Sequence, residues 1–262
     1  MAVELQSVLN VSGAISAGLS WSLHAQRNIM DPWQLIKDGR FSEAVDAYTQ
    51  QLAEAGTVPS FRNRAIAHLN LGQLDHAMAD YESAERIDQS RSDGNLKSIG
   101  VVHWLAGREA DAVKAWAEAV QLLERNEIQY TDGAGGVQSP CLLWFAGARL
   151  KDVTLQDSAN SLLKRLLRGR RANNWPGPIG RLLLKQVDAE SLRSSVSSVP
   201  VLRERELCQA EFYIAVQALD DDGRQHYIDG LRRASDYSAA LLENEFYLAK
   251  CELRRAMPEM SV

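Results

Sequence analysis

An all-α array of stacked antiparallel helix pairs is the fold that three observations predict. Gly39, Gly72 and Gly107 stand 33 and 35 residues apart, the period of a helical repeat unit of about 34 residues. After each glycine a small residue (Ala44, Ala77, Ala112) is followed four residues later by a large ring (Tyr48, Tyr81, Trp116). Between the glycines apolar residues recur at helical spacing, as in Leu74, Ala77, Tyr81 and Ala84, rather than alternating as in a strand. One helix pair cannot bury its apolar face alone, so such units stack.

Taken in order, residues 1–29 read either as a leader or as an accessory helix, since their apolar residues are interrupted by Ser12, Gly13 and Gly18. Asp31 can cap a helix and Pro32 can occupy its first turn, so 30–262 is expected to form a single helical-repeat domain. Clear repeats span 31–55, 59–88 and 93–124, giving 31–124 in all. In each, the small alanines, with Ala84 and Ala119, let helices approach, and the rings fill the space between neighbours. A Gly-rich insert at 127–140 follows, long for a helical array and therefore a candidate functional loop. Helices are expected at 141–150, 154–169, 179–186 and 188–195, with a turn at 173–178 where two prolines and a glycine interrupt. A degenerate repeat at 202–235 and a helix at 241–255 complete the degenerate region 141–262. The last helix is expected to cover the open end of the stack.

These residues resemble the tetratricopeptide repeat over 31–124. From Asn173 onward the chain is loosely similar to the bacterial new-lipoprotein-I-like group, through Asn174-Trp175-Pro176-Gly177-Pro178, Glu206 to Tyr213 and Asn244 to Ala249. The resemblance implies a right-handed superhelix (an α-solenoid) and an adaptor that holds protein partners. Those relatives are lipid-anchored outside the cytoplasm, and this chain has no cysteine near its start to carry a lipid.

Composition narrows the function classes. A net charge of -5 and a pI near 5.6 argue against a nucleic-acid partner, which needs a strongly basic face. No apolar run approaches the roughly 18 residues of a membrane span, and the first residues make a poor signal peptide. Cys141, Cys208 and Cys251 are odd in number and widely spaced, which reads as buried thiols in a reducing, cytoplasmic compartment.

In such arrays the first helix of each pair lines the concave groove. The groove is therefore expected to expose Arg62, Asn63, Ile66, Leu69 and Asn70 from the second repeat, and Lys97, Ser98, Val101 and Trp104 from the third. Arg62, Asn63 and Lys97 resemble part of a carboxylate-binding set, but Ile66 and Val101 replace the polar residues that would complete it. A mixed apolar and basic groove for an extended or helical segment is the better reading. Tyr130 and Asp132 would be presented by the 127–140 loop. Lys164, Arg165, Arg168, Arg170 and Arg171 form a basic run that either solvates a helix end or docks an acidic partner surface.

Other patterns carry less. His68 and His103 share one repeat slot but lack the further ligands of a metal site, and read as core histidines. Gly133-Ala-Gly-Gly136 lacks the Lys-Ser/Thr of a phosphate loop. No GxSxG, HExxH or ordered Cys–His set is present, so no catalytic residues, metal or cofactor are assigned. The expected function is a non-enzymatic protein–protein interaction scaffold, or adaptor, using the concave groove and the 127–140 loop. Two alternatives remain: a cytoplasmic bacterial immunity protein that neutralises a toxin, and an enzyme or small-ligand-binding protein with a pocket at that loop. Trp33 and the apolar leader also leave room for a homo-oligomer.

Overall fold

The computed structural model describes residues 31–221 and 223–257, so the segment 1–29 lies outside the described residues. Thirteen α-helices are described: α1 (Pro32–Lys37), α2 (Phe41–Glu54), α3 (Val58–Asn70), α4 (Leu74–Ile87), α5 (Asp93–Leu105), α6 (Glu109–Glu124), α7 (Gln138–Leu150), α8 (Val153–Leu166), α9 (Gly177–Leu183), α10 (Ala189–Ser194), α11 (Pro200–Gln217), α12 (Arg224–Ser235) and α13 (Asn244–Ala256). Outside the helices, among the described residues, ladder pairing is limited to one parallel bridge between Ser92 and Gln129.

Three identical turns set the frame. Gly39, Gly72 and Gly107 have φ between +72 and +75°, and nothing lies within 4 Å of where a Cβ would sit. At each, the glycine N–H bonds a carbonyl three residues back and the following residue reaches five back: Arg40 to Leu35, Gln73 to His68, Arg108 to His103. This pairing is the Schellman motif, which requires the left-handed conformation that only glycine adopts without cost. It explains the period, because the turn must recur wherever a first helix hands over to a second. The unit is a tetratricopeptide-like helix hairpin, and the array is an all-α solenoid.

The hairpins α1–α2, α3–α4, α5–α6, α7–α8 and α11–α12 pack within themselves, and successive hairpins stack through α2–α3, α4–α5 and α6–α7. Ala44, Ala77, Ala84, Ala112 and Ala119 are fully buried, and Tyr48, Tyr81 and Trp116 are buried beside them, as the repeat pattern requires. At the start, the Asp31 carboxylate accepts from the Trp33 N–H at 3.1 Å, so the predicted cap holds. Aromatic packing then links the clear repeats to the degenerate half. Trp104 lies 5.7 Å from Trp116 and 4.8 Å from Phe145, and Phe145 lies 5.1 Å from Phe212.

One expectation is corrected by the path of α13. It packs most extensively on α12 of the last hairpin, but it does more than cover that end of the stack. It turns back along the side lined by the first helices and packs on α5 and α11. Tyr247 accepts from Asn70 of α3, Glu252 accepts from Trp104 of α5, and Arg149 of α7 pairs with Glu252. The chain thereby fills part of its own groove. Two buried carboxylates on one face of α13, Glu245 and Glu252, favour this path, because most of their donors stand on the first helices and on α11 and α12.

Candidate functional site

The groove residues expected to be exposed are mostly buried. Ile66, Leu69, Lys97, Ser98 and Val101 are 9% exposed or less, and Trp104 is wholly enclosed. Ile66 joins the small core of Leu35, Ile36, Ala44 and Tyr48. Asn63 donates to the Tyr48 hydroxyl at 3.0 Å, and Asn70 donates to the Ile66 carbonyl and the Tyr247 hydroxyl. The Trp104 indole donates to Glu252 at 2.8 Å. Asn70 and Trp104 thus hold α13, while Asn63 and Ile66 hold the first hairpin.

Lys97 is the largest departure. Its ammonium reaches Thr131 Oγ1 at 2.8 Å, Gln138 Oε1 at 2.9 Å and Asp93 Oδ2 at 3.2 Å, which uses all three of its protons. Asp93, wholly buried, also accepts from the Thr131 N–H and hydroxyl and from Ser139. A cation satisfied inside the protein cannot steer a partner. Asp93 is a local i,i+4 neighbour, but the burial of the pair was not visible in the sequence because Thr131 and Gln138 lie 34 and 41 residues away.

The 127–140 loop is built around Asp132. Its carboxylate accepts from the backbone N–H groups of Ala134, Gly136 and Gln138, each at 2.9 Å. Gly135 and Gly136 have φ of 90 and 95°, which lets the chain curl tightly enough to aim those N–H groups inward. Asp132 therefore organises the loop, and it also stands in the lining of the cleft that opens beneath it. Tyr130 does stand exposed, with the Arg171 guanidinium 5.2 Å above its ring. The loop is held at both ends: Asp93 N–H bonds the Gln129 carbonyl, and Asn174 donates to the Gly133 carbonyl.

Where the loop meets the uncovered remainder of the groove, a cleft of about 470 Å³ opens. The near wall is Arg62 of α3, Gly94, Lys97 and Ser98 of α5, and the loop residues Thr131, Gly133 and Gln138. The far wall is Trp175 and Pro176, which share a cis peptide bond, Gln209 and Arg205 of α11, and Glu243. A smaller cavity of about 180 Å³ continues from it past Arg62, Ser98, Leu242 and Asn244 toward Tyr81. The floor is polar and fully paired. Glu245 accepts from Gln138, from Gln209 at 3.0 Å and from the Tyr213 hydroxyl at 3.2 Å, while Gln209 accepts from the Trp175 indole. Burial, reinforced by Glu245, holds the Tyr213 hydroxyl well above the ordinary phenol range.

Arg62 differs from every other cation of the cleft. It is half-buried, and among the described residues it has no hydrogen-bond or ion-pair partner. An added Cβ at Gly94 would lie 3.1 Å from its guanidinium, so the side chain lies close against the start of α5. At the rim, Leu202 and Leu242 are 40% and 44% exposed. The three blocks 174–178, 206–213 and 244–249 each contribute to the far wall, through Trp175 and Pro176, Glu206 and Gln209, and Asn244.

Glu243 gives the cleft a pH dependence. Burial raises its carboxyl to about 7, with Arg205 opposing and Glu245 reinforcing the shift. The unfolded carboxyl titrates near 4.5, so between about pH 4.5 and 7 the folded state binds more protons. This group's stabilisation is full below that window and is lost as pH rises through it, by roughly 3 kcal/mol. Urea midpoints measured from pH 5 to 8 are expected to fall less steeply for Glu243→Gln than for the wild type. Equal slopes would show that Glu243 does not carry the effect.

The two repeat-slot histidines each bond a side chain five residues on, with the ring nitrogen in opposite roles, donor in His68 and acceptor in His103. His68 Nδ1 lies 2.7 Å from Gln73 Oε1, and Arg108 donates to His103 Nδ1 at 3.0 Å. Among the described residues no three His, Cys, Asp or Glu side chains cluster as a metal site, and no helix is long and apolar enough to cross a membrane.

No protein-family model matches the chain, and no curated protein matches it. Three solved structures are similar in outline. A tetratricopeptide repeat protein from Parabacteroides merdae shares 14% identity over 84% of this chain and 81% of its own, with a TM-score of 0.47. A chain of the Naa15/Naa10 assembly bound to HypK-THB shares 16% identity over 87% of this chain, which spans only 35% of that one, with a TM-score of 0.39. The C-terminal part of a repeat protein from Cytophaga hutchinsonii shares 14% over 79% of this chain and 93% of its own, with a TM-score of 0.31.

Proposed function

We propose that the chain is a non-enzymatic protein-interaction scaffold that seats an extended segment of a partner protein in the cleft beneath the 127–140 loop. The observation that carries this reading is the contrast along the inner side of the array. α13 packs along the groove elsewhere, whereas at the cleft Arg62, without a hydrogen-bond or ion-pair partner among the described residues, stands with two exposed leucines, Leu202 and Leu242. An apolar rim around a cation that lacks an internal counter-charge fits a segment with aliphatic side chains and one anionic group.

A photo-crosslinking residue at position 202, activated in the native cells, tests it. A discrete crosslinked protein is expected, reduced about tenfold when Arg62→Glu is added. Absence of any crosslinked protein would reject the reading. Lys97 is a poor choice for this test, because Lys97→Glu would bury a second carboxylate beside Asp93 and unfold the site.

A small anionic ligand is the second reading, favoured by the cleft volume, which lies in the range of small-molecule sites. Native mass spectrometry of the protein purified from its own cells separates the two. A retained small mass lost in Arg62→Glu, with no crosslink at 202, would establish the second.

A further inference from the structure

The segment from 153 to 187 carries seven cations (Lys164, Arg165, Arg168, Arg170, Arg171, Arg181, Lys185) against a single acid, Asp157, in a chain whose net charge is -5. Lys164 and Arg165 end α8, where the helix dipole favours cations. That effect fades within the last turn and so does not account for Arg168, Arg170 and Arg171, which follow the helix. All five residues of the 164–171 run are exposed. Arg165 reaches Glu124 at 3.8 Å with both side chains largely in solvent, a pair that contributes little. Lys164, Arg168 and Arg170 have no side-chain hydrogen-bond or ion-pair partner among the described residues. Arg171 is positioned, by its stacking on Tyr130.

The patch is continuous with the cleft through the loop. Tyr130 carries Arg171 on one side of it, while Thr131, Asp132 and Gly133 line the cleft on the other. Asn174, next to the 3₁₀ turn Arg170–Asn173, donates to the Gly133 carbonyl and locks the basic turn to the loop.

We infer that Lys164, Arg168, Arg170 and Arg171, with Tyr130, form a docking surface for an acidic segment of a protein partner, lying across the loop from the cleft. The inference rests on the scaffold reading above for the class of partner, and on charge complementarity for its chemistry. Exposed arginines against carboxylates act mainly through the field they create, so the contact must weaken as salt screens it.

The test uses a fluorescein-labelled deca-glutamate peptide, with binding followed by anisotropy on the full chain. Binding is expected at low salt and is expected to vanish near about 0.3 M salt, where the Debye length falls well below about 10 Å. Arg168→Glu with Arg170→Glu should weaken it about tenfold, because neither side chain has a structural partner to lose. A charge-matched control, Lys37→Glu with Lys114→Glu, should change it less than about twofold. No binding by the peptide, or an equal loss in the control, would overturn the inference. Tighter binding of oligothymidylate or of phosphatidylserine vesicles than of the peptide would also overturn it, assigning the patch to nucleic acid or membrane. The crosslink at position 202 is read separately. If it persists while the peptide fails, this inference alone falls. If it is absent while the peptide binds, the cleft reading falls.

Discussion

Replacing Glu252 by alanine is expected to destabilise the protein by about 3–5 kcal/mol. Glu252 is 1% exposed and accepts from the Trp104 indole at 2.8 Å, the Tyr227 hydroxyl at 2.8 Å and Arg255 at 3.0 Å, while pairing with Arg149. These four partners come from α5, α12, α13 itself and α7. Removing the carboxylate leaves a buried indole N–H and a buried hydroxyl unsatisfied and takes the counter-ion from Arg149, while Arg255 keeps Glu109 and the Trp104 carbonyl. The loss of a buried charge partner is worse than its absence from the start, which sets the magnitude. Glu252→Gln keeps the shape and an acceptor and should fall between alanine and wild type. Urea unfolding gives the number, and hydrogen exchange should show α13 opening first. A cost under about 1 kcal/mol for alanine would mean that α13 is not held on the first helices by this residue.

Gly100→Ala is expected to cost about 3 kcal/mol, at the upper end of overpacking. A Cβ there would stand 2.2 Å from Trp116 Nε1 and 2.6 Å from its Cδ1. The indole cannot retreat. It is fully buried, donates to the Lys97 carbonyl at 3.0 Å and lies against Trp104 and Phe145. The same substitution at Gly107 meets nothing within 4 Å and costs only the left-handed backbone, about 1–2 kcal/mol. Thermal or urea unfolding of both variants compares steric and conformational penalties in one repeat. Partial recovery of Gly100→Ala by Trp116→Phe would confirm the cause, and equal losses for the two glycine variants would refute it.

The repeat frame was legible because its signals are local. A glycine at a Schellman turn, an alanine where helices touch and a ring four residues later all act within one unit. Asp31 and Thr57 cap their helices by the same short-range chemistry. The cleft was legible only in fragments. Arg62 and the loop were singled out from repeat position and glycine content. Trp175, Gln209, Leu202 and Glu243 were not, although three of the four lie in or beside the blocks that carried the looser resemblance. Nothing local marks them as neighbours of Arg62.

What the sequence determined by itself is the class of fold, the position of each repeat turn, and the residues that let helices approach. Each depends on interactions spanning a few residues, whose cost and geometry do not depend on the rest of the chain. What only the tertiary structure decided is which surface remains open. Asn70 meets Tyr247 across 177 residues, and Trp104 meets Glu252 across 148. Polar residues that read as an exposed groove are instead satisfied by a helix from the far end of the chain. A buried donor or acceptor must find a partner, and spacing along the chain does not say where that partner lies.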